Sequence, residues 1–197
     1  YNEDGTVKAI TPKNNAPAKV RKQIIDDFDK VYTPDSFVVP YTQIVHDRSV
    51  VEVLRGCIRG CRFCQAGMIY RPNREKGVER LKELAQKLIA STGYEEISLS
   101  SLSSSDYAEL EELINYLIDI CKKKKINISL PSLRIDAFSL DIMQKVQDIK
   151  KSSLTFAPEA GTQRLRNVIN KGLTVENIMD GSRQAFEGGW NKVKFYF

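Results

Sequence analysis

The chain has 197 residues, 30 Lys and Arg against 25 Asp and Glu, a formal net charge of +5, one His and four Cys. With 42% hydrophobic and 28% charged residues it has material for a core, which excludes a mainly disordered chain, while 11 Gly and 7 Pro exclude collagen-like and low-complexity classes. No apolar run approaches the ~20 residues of a membrane helix, and the polar opening Tyr1–Gly5 is no signal peptide. A soluble, cytoplasmic globular domain is expected.

Residues 1–36 read as a leader segment, partly helical, with an amphipathic stretch over 19–29; residues 37–197 read as one core domain. Residues 37–45 are extended in character and interrupted by Pro40. A first strand is expected over 50–54. A helix follows over 77–91, with Leu81, Leu84, Ala85, Leu88 and Ile89 on one face and Gly93 closing it. A second strand spans 96–101. The strongest helical pattern runs over 106–125, with Leu110, Leu113, Ile114, Leu117, Ile118 and Cys121 on one stripe and Ser105 or Asp106 as its cap. Then come a third strand (126–130), a helix (139–148), a fourth strand (153–157), two short helices (162–171 and 174–187) and a fifth strand (192–197).

Strands alternating with helices argue for a parallel α/β sheet, because parallel neighbours need crossover connections. Both a doubly wound sheet and a partial (β/α) TIM-type barrel fit. No G-x-G-x-x-G follows the first strand, which disfavours dinucleotide binding. In both folds, sites gather at the carboxyl ends of the strands. The opening without Met and the uncovered apolar ending Val193-Lys194-Phe195-Tyr196-Phe197 suggest a barrel truncated after its fifth strand, with an exposed edge.

Three of the four cysteines stand in Cys57-Ile58-Arg59-Gly60-Cys61-Arg62-Phe63-Cys64, a C-x3-C-x2-C spacing just past the first strand. An odd number of thiols in a Cys-poor chain argues against structural disulfides. Two readings stay open on spacing alone: an iron–sulfur cluster with one open iron, and a zinc site that recruits His46. The second would make the chain a zinc-stapled module binding RNA or another anion. Arg55, Arg59, Arg62, Arg71 and Arg74 surround the loop and could offset cluster charge, hold a carboxylate or meet an anionic substrate. Lys122–Lys125 close a helix, so dipole compensation accounts for them without a nucleic acid. Cys121, Trp190 and Met68 read as packing and His46 as structural, while Tyr70 is placed to face a substrate.

The motif, with an aromatic residue just before its last Cys, resembles the radical S-adenosylmethionine superfamily. The run from Arg55 to Pro72, together with Pro131-Ser132-Leu133-Arg134-Ile135-Asp136 and Thr155-Phe156-Ala157-Pro158-Glu159-Ala160-Gly161-Thr162, is similar to a branch of unassigned function carrying an N-terminal cobalamin-binding domain. That resemblance, from about Val39 to Phe197, implies that Cys57, Cys61 and Cys64 bind a 4Fe–4S cluster and that S-adenosylmethionine chelates the remaining iron. It implies an electron donor as a partner and cobalamin bound through a domain outside these residues. Phe63 would pack near the adenine. Where the family has a Gly-Gly-Glu-like segment, this chain has a Ser-rich run, so Ser100 and Ser101 would meet the amino group. Arg134 would fork onto the cofactor carboxylate, and Glu159 matches a polar position used on the ribose or amino acid portion.

Overall fold

A computed structural model describes residues 1–137, 140–147 and 153–197. Its elements in chain order are β1 (Ser49–Glu52), β2 (Leu54–Arg55), α1 (Ala66–Ile69), β3 (Arg74–Glu75), α2 (Val78–Thr92), β4 (Glu96–Ser100), α3 (Leu110–Lys124), β5 (Asn127–Ser129), α4 (Leu140–Gln147), β6 (Leu154–Phe156), α5 (Gln163–Val168), α6 (Val175–Glu187) and β7 (Val193–Phe195). All five expected strands are present, and every pair among them is parallel. β1 pairs with β4 (Val51 opposite Leu99), β4 with β5 (Ile97 opposite Ile128), and β6 with β7 (Thr155 opposite Lys194). The architecture is that of a partial TIM-type α/β barrel. Among the described residues no ladder joins β5 to β6; a cavity of about 350 Å³ lies there, lined by Ser129, Leu130, Leu154 and Thr155.

The helices form where apolar residues recur on one face. α2 buries Val78, Leu81, Leu84, Ala85, Leu88 and Ile89, and Gly93 ends it in the left-handed region at φ 69°, where a Cβ would be strained. α3 buries Leu110, Leu113, Ile114, Leu117 and Cys121 against β1, β4 and β5. Burial pushes the Cys121 thiol up to about 11, as befits a small core residue. A second, smaller core gathers Leu154, Phe156, Leu173 and Trp190 around β6 and α6.

Several expectations are corrected. α3 begins at Leu110 rather than at residue 106, because the preceding residues have tertiary partners. The Ser105 Oγ accepts from the Arg134 N–H (3.0 Å), and the buried Tyr107 hydroxyl donates to the Lys76 carbonyl (2.8 Å). α5 stops at Val168, short of 171, since Asn170 turns left-handed at φ 54°. The ends of the helix expected over 139–148 lie outside the described residues. The first strand, expected over 50–54, stops at Glu52; Leu54 belongs to β2, which pairs antiparallel with β3, two residues each, a pairing absent from the sequence reading. No described helix is long and apolar enough to cross a membrane.

The stretch over 19–29 forms no helix. Its Asp27 carboxylate accepts from the Asp29 N–H (3.1 Å), a local turn that competes with helix formation. The segment instead straps the core. Phe28, 3% exposed, lies between the Arg55 guanidinium (4.9 Å) and the Lys76 ammonium (4.1 Å). Lys76 is itself 1% exposed, and its ammonium donates to the Phe28 carbonyl at 3.1 Å; desolvation lowers its pKa. The Asp29 carboxylate accepts from the Gly77 N–H (2.8 Å) and so caps α2 from a distance of 48 residues.

Candidate functional site

The cysteine loop leaves β2 at the carboxyl end of the β1–β4–β5 sheet, where the fold rule for parallel sheets puts sites. Gly56 makes the exit possible. It sits at φ 114°, and a Cβ there would come within 2.4 Å of the Tyr70 carbonyl oxygen. Cys57 and Cys64 are half-buried, Cys61 is buried, and all three are free thiols. Among the described residues no three Cys, His, Asp or Glu side chains already form a metal-ligating group. Three thiols in eight residues nonetheless suit a cluster that takes three protein ligands. His46 does not serve as a fourth ligand to them. It precedes β1, at the opposite end of the strand, with its Nδ1 2.9 Å from the Arg48 guanidinium, which in turn pairs with Glu96 at 2.8 Å.

The arginines around the loop act mostly on the protein itself. Arg55 forks onto Glu52 (2.8 and 2.7 Å), which raises its pKa. Arg59 forks onto Asp106, with Nε 3.0 Å from Oδ2 and Nη2 bonded to Oδ1. Burial alone would raise the Asp106 carboxyl, but the Arg59 hydrogen bonds and the Arg59 and Arg134 charges outweigh it and hold it below 3.8. Arg62 donates to the Val168 carbonyl from its side chain and to the Ile169 carbonyl (2.8 Å) from its backbone. Arg71 donates to the Arg59 carbonyl at 3.0 Å. The Asn170 amide completes the set, donating to the Gly60 carbonyl at 2.8 Å. The loop is thus held from one side by the connection after β4 and from the other by the end of α5.

Ser100 and Ser101 line a cavity of about 320 Å³ with Glu52, Arg55, Gly56 and Tyr70, directly beside the loop. The Ser101 hydroxyl also bonds that of Ser104 (2.8 Å), whose Oγ donates to the Pro131 carbonyl (2.6 Å), so part of the serine run ties β4 to the segment after β5. Phe63 is 54% exposed and Ile58, earlier on the same loop, 56%. Arg134 and Glu159 lie in a neighbouring charged belt. Arg134 forks onto Asp136 at 2.9 Å for both bonds and reaches the Lys171 carbonyl at 3.4 Å, while the Lys171 ammonium pairs with Glu159 at 3.3 Å. Asp136 lies 4.0 Å from Arg59, which joins this belt to the loop. Asp106, Asp136, Asn170 and Lys171 were not singled out as site residues in the sequence reading. Asp106 did draw notice, but only as a helix cap.

A loop of three free thiols thus stands at the carboxyl end of a parallel sheet, beside a cavity of about 320 Å³, in a partial barrel-type α/β fold. The model of the radical SAM superfamily matches residues 51–197, and the chain belongs to that superfamily. It is 36% identical over its whole length to an uncharacterized protein of Methanocaldococcus jannaschii, of which it spans 40%. Over 71% of its length it is 24% identical to a provisionally named methylthiotransferase of the same archaeon, of which the match covers 32%. Among solved structures it is similar to the radical S-adenosylmethionine methyltransferase TsrM of Kitasatospora setae with cobalamin and a 4Fe–4S cluster bound. The TM-score is 0.58 at 12% identity, over 75% of this chain and 28% of that one, a likeness of fold.

Proposed function

We propose that these residues form the core of a radical S-adenosylmethionine enzyme in which Cys57, Cys61 and Cys64 hold a 4Fe–4S cluster. The observation that carries the reading is the loop of three free thiols at the sheet's carboxyl end, within a chain of this superfamily. A cluster held by Cys57, Cys61 and Cys64 and reduced by an electron donor would supply one-electron reductive cleavage of S-adenosylmethionine, giving methionine and a 5′-deoxyadenosyl radical able to take hydrogen from a substrate. The chain's own residues hold and position. Ser100 and Ser101 offer hydroxyls to the amino group, and Phe63 an exposed ring for the adenine. Arg134 and Glu159 enter with partners in place, so a ligand has to compete with Asp136 and Lys171 for them. An electron donor would approach the loop at its exposed Ile58. Cobalamin held by a domain outside these residues belongs to the same reading, supported by the three segments similar to that branch and by the fold shared with TsrM.

Anaerobic reconstitution with iron and sulfide should give a brown protein that forms 5′-deoxyadenosine on reduction with S-adenosylmethionine. Cys61→Ala should lose the iron and keep the fold, because the loop lies outside both cores. A colourless protein holding one zinc, which unfolds when Cys61 is replaced, would overturn the reading.

A further inference from the structure

We propose that Asp106 and Arg59 form a positioning pair for Cys57, an inference that rests on the cluster reading above. Arg59 lies between the first two cysteines, and its backbone N–H donates to the Cys57 Sγ at 3.4 Å. A peptide in a loop holds such a bond only if the loop is fixed, and three contacts fix this one. The Arg59 guanidinium is forked onto the Asp106 carboxylate, whose side chain is 7% exposed. Its carbonyl accepts from Arg71 at 3.0 Å. Gly67 packs so closely that a Cβ would lie 2.9 Å from that same carbonyl oxygen. Asp136, at 4.0 Å from the guanidinium, is itself forked by Arg134 and adds a second negative charge at longer range.

The Arg59 charge is therefore not offered to a ligand. The side chain is a strut, and the functional group it presents is a backbone N–H aimed at a ligand sulfur. Hydrogen bonds to the sulfurs help to set a cluster's reduction potential, since a donor favours the more negative, reduced state. Planar fork geometry is what an arginine supplies here and a lysine does not. Arg59→Lys keeps the charge and loses the fork; Asp106→Glu keeps the charge and displaces the carboxylate.

The test uses the full chain, reconstituted anaerobically, with iron content and an EPR-monitored redox titration as readouts. Both variants should retain cluster yet be harder to reduce. A roughly tenfold fall in the reduced-to-oxidised ratio at fixed potential is expected, equivalent to about 59 mV for a one-electron couple. Variants that remain folded by circular dichroism but hold no cluster would support the pair's positioning role in a stronger form. Cluster-loaded variants with the wild-type potential would overturn it, as would variants that unfold, which would assign the pair to the fold alone. A wild-type chain that takes up no cluster would instead overturn the reading beneath it.

Discussion

The two parallel halves of the fold, the β1–β4–β5 sheet and the β6–β7 sheet, are held together by different means. The half built from β1, β4 and β5 buries a continuous apolar layer with α2 and α3, in which Leu81, Leu84, Leu113, Ile114 and Leu117 are wholly buried. The β6–β7 half has the smaller core and relies on polar clamps. Arg166, 1% exposed, spends its guanidinium on the carbonyls of Ala160, Gly161 and Leu173, and Lys171 pairs with Glu159. Apolar burial is non-directional, so the first half is held by packing over a broad area; hydrogen bonds are directional, so the second is held at particular points. The cysteine loop is fastened to both, to Asp106 after β4 and to Val168, Ile169 and Asn170 at the end of α5.

That contrast can be broken most forcefully in the smaller core. Phe156→Ala should cost about 3–5 kcal/mol by urea denaturation and speed amide exchange in the loop through the anchors at Ile169 and Asn170. Leu117→Ala in the larger core should cost about 2–5 kcal/mol while leaving exchange in the loop little changed. Equal loop exchange in the two variants would erase the distinction.

Gly56→Ala comes next, at about 1–3 kcal/mol, since it combines a left-handed φ with a collision against the Tyr70 carbonyl; iron bound per chain should fall with it. Asp106→Asn should cost about 1–2 kcal/mol, a buried-pair value discounted because Arg59 is a third exposed. Its sign with pH is fixed by the depressed carboxyl. The stability gap between wild type and variant should be full above about 4 and close as pH falls through the folded-state pKa, below 3.8. Smallest is Asn170→Gly, which keeps the left-handed backbone and removes only the bond to the Gly60 carbonyl. About 1 kcal/mol is expected, with faster iron loss to a chelator as the sharper readout.

What could be read beforehand was local. The apolar stripes of α2 and α3, the glycine closing α2 and the C-x3-C-x2-C spacing are patterns within a dozen residues, and the structure has the elements they predict. Ser100 and Ser101 entered the reading through the resemblance to a family segment after the second strand, and the structure puts them in the lining of the cavity beside the loop. The failures are tertiary. Nothing near Arg59 announces a carboxylate 47 residues away, and nothing near Arg62 announces a carbonyl 106 residues away. Asp106 was assigned to the nearest helix because capping is the local use of such a residue. The strap failed for the same reason: the period over 19–29 suggested a helix, but Phe28 and Asp29 had better partners in Lys76 and Gly77.

The bond between Asn170 and Gly60 spans 110 residues, and that distance sets an order of events during synthesis. At the 5–20 residues per second of translation, the cysteines leave the ribosome roughly 5–20 seconds before the residues that clamp their loop. Late in that interval the loop has its contacts to Gly67, Arg71 and Asp106 but lacks the clamps at Val168, Ile169 and Asn170, which leaves the thiols more open to oxidation and to stray metal. Insertion of a cluster into a finished loop then has to wait for the end of α5. Ribosome-stalled chains ending near residue 160 should accordingly alkylate at Cys57 and Cys64 faster than chains that extend through residue 197. Equal rates would place the setting of the loop before its clamps arrive.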